Sequence, residues 1–300
     1  MLPRLGAHVS MAGGPRQALR RARHLGVEAL QVFPTNPRQW RSRDYPVEDL
    51  EWLAGRLRLL SLLLFVHTTY LINLASPDRD LRIRSAAALA DAMRFGHLTG
   101  AHALVTHIGS HRGDGFKRAL PRVAETVARA RQLHGMPAPT LLLETSAGSG
   151  STIGASPDEL GALVSELGPD VGVCLDTAHL FAAGFAVHEP AGLNEYAGAL
   201  NANGLGSRVG LIHFNDSATD FGSRHDRHEN LWEGRIGRAG LMTVLAHPDF
   251  RSVPFVLEVP GFDGRGPDTR NMRRARLMRR AATQAASSRL AQPPHSAAEA

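Results

Sequence analysis

The run Val171-Gly172-Val173-Cys174-Leu175-Asp176, continued by Thr177-Ala178-His179, decides the fold. Its first five residues are apolar or glycine without alternation. A short run of that kind reads as a strand buried on both faces, as in a parallel sheet. It ends on a carboxylate, and His179 follows one helical turn later. Working outward, the same design recurs at Leu5–Val9, Ala29–Phe33, Leu62–His67, Ala103–His107, Thr140–Glu144, Val209–Asn215 and Phe255–Glu258. Helical periods lie between these strands. Ser156-Pro157-Asp158-Glu159 offers an N-cap serine, a proline at the first helical position and a glutamate three residues on, and Ser76-Pro77-Asp78 is expected to open a helix in the same way. Eight β-then-α units in 300 residues predict an α/β protein, a single-domain (β/α)8 barrel of the TIM type over residues 1–284. An open doubly wound sheet is the alternative. Residues 285–300 are rich in Ala, Ser, Gln and Pro and are expected to form a disordered tail. The connection from Asn215 to Gly237 is long enough to be a functional loop.

The bulk composition narrows the function classes. Hydrophobic residues make up 43% of the chain, enough for a substantial core, and charged residues 21%. The net charge of +6 favours anionic partners, most simply nucleic acid, although arginines on a solvated surface would give the same figure. A lone cysteine, Cys174, excludes an internal disulfide and fits a reducing compartment. The chain enters its first strand without a signal-peptide core. Its longest apolar run, Leu59 to Val66 broken by Ser61, is too short to span a bilayer. A cytoplasmic protein is expected.

Most strands end in a residue able to bind a metal: His67, His107, Glu144, Asp176, His213 and Glu258, with His179 one turn past Asp176. In the loop after strand seven, Asp226 and His228 stand two apart, so an extended backbone points both the same way. Any one of these is more ordinarily a hydrogen-bonded or solvated side chain. Nine at the carboxyl rim of one barrel are costly without cations to pair them. Imidazoles mixed with carboxylates and no cysteine suit catalytic zinc or manganese, and nine ligands exceed what one ion takes, so two or three ions are expected. Weaker signals are read plainly. Gly148 to Gly154 lacks a lysine and is a flexible loop, Cys174 is a small core residue, His8 is a supporting residue at the rim, and Trp40 and Trp232 either stack on bases or pack.

At these residues the chain resembles the endonuclease IV family of apurinic/apyrimidinic endonucleases. The resemblance runs from Gly6 to about Arg280. It rests on Gly6-Ala7-His8-Val9-Ser10, Asn36-Pro37-Arg38-Gln39-Trp40, Tyr70-Leu71-Ile72-Asn73-Leu74, Glu144-Thr145-Ser146-Ala147-Gly148, Gly172 to His179 and Phe221 to His228. It implies a three-zinc site. One zinc would be held by His67, His107 and Glu144, a second by Glu144, Asp176, His213 and Glu258, and a third by His179, Asp226 and His228. Glu144 is then the bridging and catalytic residue. Arg38, Tyr70 and Leu71 align with the residues that enter DNA at the lesion. Departures are Ile108 in the His107-Ile108-Gly109-Ser110-His111 element, Val66, Trp232 in Leu231-Trp232-Glu233-Gly234, and Val259. None removes a ligand; they bear on loop shape near the metal centre, where Trp232 could alter access or the fit of DNA, and activity is expected below the family norm.

The resemblance further implies a monomeric hydrolase that cuts duplex DNA 5′ to abasic sites, leaving a 3′ hydroxyl and a 5′ deoxyribose phosphate, and that clears blocked 3′ ends in base excision repair. Two other readings stay open. A sugar isomerase or epimerase would need one metal, for which Glu144, Asp176, His213 and Glu258 suffice. A DNA-binding protein without activity would not need so many desolvated ligand-type groups.

Overall fold

A computed structural model describes residues 2–40 and 43–290 of the chain. In chain order the elements are β1 (Leu5–His8), α1 (Pro15–Leu25), β2 (Ala29–Val32), α2 (Val47–Leu59), β3 (Leu63–His67), α3 (Arg79–Thr99), β4 (Ala103–Thr106), α4 (Phe116–His134), β5 (Thr140–Glu144) and α5 (Pro157–Leu167). They continue with β6 (Val171–Asp176), α6 (Thr177–Ala183), α7 (Pro190–Ala202), β7 (Val209–His213), β8 (Asp216–Ser217), β9 (His228–Glu229), α8 (Gly237–Ala246), β10 (Phe255–Leu257) and α9 (Thr269–Leu290). Eight parallel strands close into a barrel in the order β1-β10-β7-β6-β5-β4-β3-β2. The expected barrel is therefore the observed one, the open sheet is excluded, and every expected strand is present with its ends moved by at most two residues. The long connection after β7 folds into the antiparallel β8–β9 hairpin.

Alternation along the strands sorts two cores. Leu30, Leu64, Val66, Leu104, Leu141, Leu143, Val173, Leu175 and Ile212 pack outward against the helices. Ala29, Phe65, Ala103, Val105, Leu142, Cys174, Leu211 and Val256 form a separate apolar cluster that plugs the barrel interior. Cys174 is thus a core residue, as expected, and burial pushes its thiol up to about 12.

Ser156 caps α5 as expected, accepting from the Glu159 amide at 3.3 Å. The opening of α3 differs. Asp78, not Ser76, is the cap: its carboxylate accepts from the amides of Asp80 and Leu81, and the helix begins at Arg79. A carboxylate that satisfies two free amides of the first turn outcompetes a serine two residues earlier, and Ser76 Oγ accepts from the Asp78 amide instead. Helix α9 continues to Leu290, across the tail boundary expected at Ala285; residues 291–300 of that tail lie outside the described residues. Among the described residues no helix is long and apolar enough to cross a membrane.

Candidate metal centre

The barrel plug sets what stands above it. Phe65, Val105, Leu142, Cys174, Leu211 and Val256 face inward. His67, His107, Glu144, Asp176, His213 and Glu258 each lie two residues further along and enter the same interior one layer higher. Sheet register makes Asp176 and His213 direct partners. Strand β6 passes into α6 without a loop. Asp176 is the helix cap, and its Oδ1 accepts from the His179 amide at 2.8 Å, which fixes His179 over the rim. Asp226 and His228 arrive from the hairpin, where His228 pairs with Ser217.

All nine side chains converge. Glu144 lies at the middle and is buried. Its Oε2 is 3.0 Å from His67 Nε2 and 3.5 Å from His107 Nδ1, while its Oε1 is 3.1 Å from His213 Nδ1. The two oxygens therefore face two different groups of nitrogens. His213 Nδ1 is also 3.2 Å from Glu258 Oε2 and 3.7 Å from Asp176 Oδ2. His179 Nε2 lies 3.1 Å from Asp226 Oδ2, and His228 Nε2 lies 3.4 Å from both Asp226 Oδ1 and Asp176 Oδ2. Three groups have ligand atoms mutually within 4.8 Å: His67, His107 and Glu144; Glu144, Asp176, His213 and Glu258; and Asp176, His179 and His228. In the last group Asp176 stands where the sequence pointed to Asp226, which nonetheless approaches both imidazoles.

The donor set fits divalent metal ions. Nδ1 of His67 lies 2.8 Å from the Thr68 carbonyl and Nδ1 of His179 lies 2.8 Å from the Thr145 carbonyl. A carbonyl only accepts, so in both rings Nδ1 carries the proton and Nε2 of the neutral ring is a lone pair turned inward. Nε2 of His179 and of His228 are buried without a hydrogen-bond partner, although carboxylate oxygens surround them. Nitrogen and carboxylate lone pairs this close in a buried site need a proton or a metal cation between them. Electrostatics agree. Burial opposes ionisation of Glu144, yet the His107 and His213 imidazoles hold its carboxyl well below the usual range. Burial likewise opposes ionisation of Asp226, and His179 brings it to about 2. Burial disfavours a charged His179, but Asp176 and Asp226 push it well above its ordinary value. The pull on a proton there is the pull a metal ion would feel.

Some supporting residues escaped the sequence reading. Asn215 donates to Asp176 Oδ2 at 2.7 Å, and its Oδ1 accepts from the Glu258 amide at 2.8 Å. Thr145 Oγ1 accepts from the Asp176 amide at 2.9 Å. Gln31 is buried in the ligand layer itself, two residues past inward-facing Ala29. A polar residue inside the apolar run Ala29-Leu30-Gln31-Val32 was the available signal. His8 stands beside the centre as a supporting residue, 3.2 Å from Glu258 Oε1.

A small cavity of about 160 Å³ is lined by Tyr70 and by Glu144, Glu258, Asp226 and three of the histidines. A larger cleft of about 620 Å³ opens beside it along the loops after β1, β2 and β10. Tyr70 borders both and is half exposed, its ring 5.8 Å from those of His67 and His107. Its amide donates to the Pro37 carbonyl at 2.9 Å, which ties its loop to that of exposed Arg38; Leu71 beside it is partly buried. Of the two alternatives for Trp232, the ring packs. It lines neither cavity; its ring packs between the Arg238 and Arg274 guanidinium groups, and Nε1 donates to Met278 Sδ at 3.2 Å on α9. The Gly148–Gly154 loop spends its amides internally, Ile153 on the Gly109 carbonyl and Gly154 on Glu159.

Residues 19–282 match the family model described as a xylose isomerase-like TIM barrel. The chain is 38% identical over 280 residues to a protein named probable endonuclease 4 from Methanoculleus marisnigri, covering 91% of this chain and 97% of that one. A protein of the same name from Nitratidesulfovibrio vulgaris Hildenborough is 35% identical over 281 residues, covering 93% and 100%. Among solved structures, endonuclease IV from Thermus thermophilus superposes with a TM-score of 0.82 at 34% identity, covering 94% of this chain and all of that one. A D-tagatose 3-epimerase-like protein gives 0.70 at 14% identity, a likeness of fold alone.

Proposed function

Because the chain belongs to the endonuclease IV family, we propose that it is a zinc-dependent, monomeric endonuclease that hydrolyses the phosphodiester 5′ to abasic sites in duplex DNA and also clears blocked 3′ ends. The observation that carries this is Glu144, whose two oxygens face separate sets of imidazoles. A carboxylate so placed is suited to bridge two ions. His67, His107 and Glu144 would hold one zinc; Glu144, Asp176, His213 and Glu258 a second; and His179, Asp226 and His228 a third, with manganese able to replace zinc at some of these positions.

Bound there, zinc would supply an acidified water and a concentrated positive field for a phosphate. The protein's own groups do the rest. Glu144 and Asp226 are held as anions, and the carbonyls at Nδ1 of His67 and His179 turn Nε2 of each ring inward as a donor; the proton that Asp176 and Asp226 draw onto His179 would leave as an ion binds. Four carboxylates at the mouth would by themselves repel DNA, and three dications more than offset them, so charge reversal at the rim is part of substrate recognition. Arg38, Tyr70 and Leu71, on loops tied by the Tyr70–Pro37 hydrogen bond, would fill the stack left by a missing base, where extrusion of the sugar costs least. The departures at Val66 and Ile108 are buried apolar contacts and leave the ligands in place.

A single-metal sugar isomerase would leave His67, His107, His179, Asp226 and His228 without a task. The deciding measurement is nicking of a duplex carrying one abasic site, alongside zinc content. Cleavage 5′ to the lesion with about three zincs per chain is expected. An intact duplex, or a single metal with sugar epimerisation, would overturn the proposal.

A further inference from the structure

As metal ligands the histidines of the centre would be neutral, and each would then owe its tautomer to a different partner. His67 and His179 use backbone carbonyls, which no substitution removes. His213 uses a side chain. Its Nε2 lies 2.9 Å from Gln31 Oε1, while Gln31 Nε2 lies 2.5 Å from Glu258 Oε1 and 3.1 Å from His8 Nδ1. Gln31 is wholly buried, so each of its hydrogen-bonding groups must find a partner within the protein.

Those three contacts allow one orientation. An ionised carboxylate only accepts, so the amide NH2 must face Glu258, and the carbonyl then faces His213. A carbonyl also only accepts, so His213 carries its proton on Nε2. Nδ1 of the neutral ring is thereby left as a lone pair, 3.1 Å from Glu144 Oε1 and 3.2 Å from Glu258 Oε2. The same NH2 engages Oε1 of Glu258 and leaves Oε2 turned to the centre.

We propose that Gln31 is a positioning residue of the metal centre: its carbonyl selects the His213 tautomer that presents Nδ1, and its NH2 group aims Oε2 of Glu258 at the same point. This rests on the reading of the cluster as a zinc site. It assigns a role to a residue that is not itself a ligand and touches no substrate. The arrangement couples β2, which contributes no ligand, to His213 at the end of β7 and to Glu258 just past β10.

The test uses the zinc-loaded full chain with 15N-labelled histidine rings, His213 being assigned from the spectrum of His213→Gln. The unchanged protein should show His213 protonated on Nε2 and protected from solvent exchange. Gln31→Met keeps the volume and removes the amide. That protected proton should be lost, and competition against a chelator should show one zinc equivalent bound about 10–100-fold more weakly, the others unchanged. Gln31→Glu restores an acceptor but sets a like charge against Glu258. The His213 Nε2 proton should return while zinc binding stays weak. His213 protonated on Nδ1 in the unchanged protein overturns the proposal even if neither variant folds. So does Gln31→Met with the same ring spectrum and the same zinc affinities. A chain that holds no zinc, yet shows a neutral His213 ring protonated on Nε2 and not on Nδ1 at a pH where the ring has lost its second proton, contradicts the zinc reading and leaves the assignment of the tautomer to Gln31 standing.

Discussion

Glu144 shows how one residue serves two environments. Its carboxylate is buried, kept ionised by imidazoles on both sides, and shared between two ligand groups. Replacing it with alanine removes the shared donor and leaves the surrounding histidines without their central counter-charge. For Glu144→Ala we expect a folded chain by far-UV circular dichroism, with cleavage of an abasic duplex reduced by more than about 100-fold and fewer bound zincs. Unchanged cleavage would remove the metal assignment. Trp232 illustrates the opposite case, a residue with visible strain and no part in the site. It holds a φ of 75°, a conformation that costs a non-glycine side chain on the order of 1 kcal/mol, and the indole's packing against two arginines and Met278 offsets that cost.

At the scale of elements, the hairpin after β7 depends on Asp216. Its buried carboxylate accepts from the amides of Ser217, Trp232, Gly234, Ile236 and Gly237, and so gathers the whole connection into α8. Gly234 is required in that embrace, since a Cβ there would lie 2.4 Å from the Ser217 carbonyl and 2.5 Å from Asp216 Oδ1. Asp216→Ala would strand five amides, those of Ser217 and Ile236 buried, and loosen the β8–β9 pairing that presents His228. A loss of about 3 kcal/mol or more in urea unfolding is expected, together with weakened binding of one zinc; stability within 0.5 kcal/mol, roughly the surface-substitution range, would contradict this account. On the far side of the barrel, Glu28 joins the start of β2 to α9 through Arg279 and accepts from the Leu5 amide at 2.8 Å. Burial raises its carboxyl, but Arg279 and the Leu5 amide outweigh burial and hold it below the ordinary 4.5. A depressed carboxyl stabilises the fold above the unfolded value and loses that contribution as pH falls through the folded one. Acid destabilisation below pH 4.5 should therefore be less steep in Glu28→Gln than in the parent, read from thermal melts between neutral pH and pH 3, about one to two units below the ordinary value.

At the scale of the molecule, a basic chain surrounds an acidic mouth. The net charge of +6 draws a polyanion in, and cations at the rim would let it approach the carboxylates. If phosphate contacts carry binding, affinity for an abasic duplex should fall linearly with the logarithm of salt concentration, and Arg38→Ala should shallow that slope by about 1 if Arg38 neutralises one phosphate, with zinc content unchanged. A salt-independent affinity would argue against DNA as the partner.

How much of this was legible from the residues alone follows from what is local. Strand runs, the cap at Ser156 and the ligand-type residues at strand ends are local in sequence, and barrel closure carries strand ends to one rim by symmetry, so fold and candidate centre could be inferred together. Gln31, Asn215 and Asp216 were missed because a buried amide or carboxylate has no sequence signature for which partner satisfies it. That depends on register between strands and on loop paths between elements. The α3 start moved from Ser76 to Asp78 for a related reason, since two plausible caps compete and geometry selects between them. Sequence determined which side chains could serve as ligands, because period-two alternation commits every second strand residue to the interior. Only tertiary structure decided which oxygen of Glu144 faces which imidazole, where Trp232 points and which tautomer His213 adopts, because those follow from distances between strands far apart in the chain.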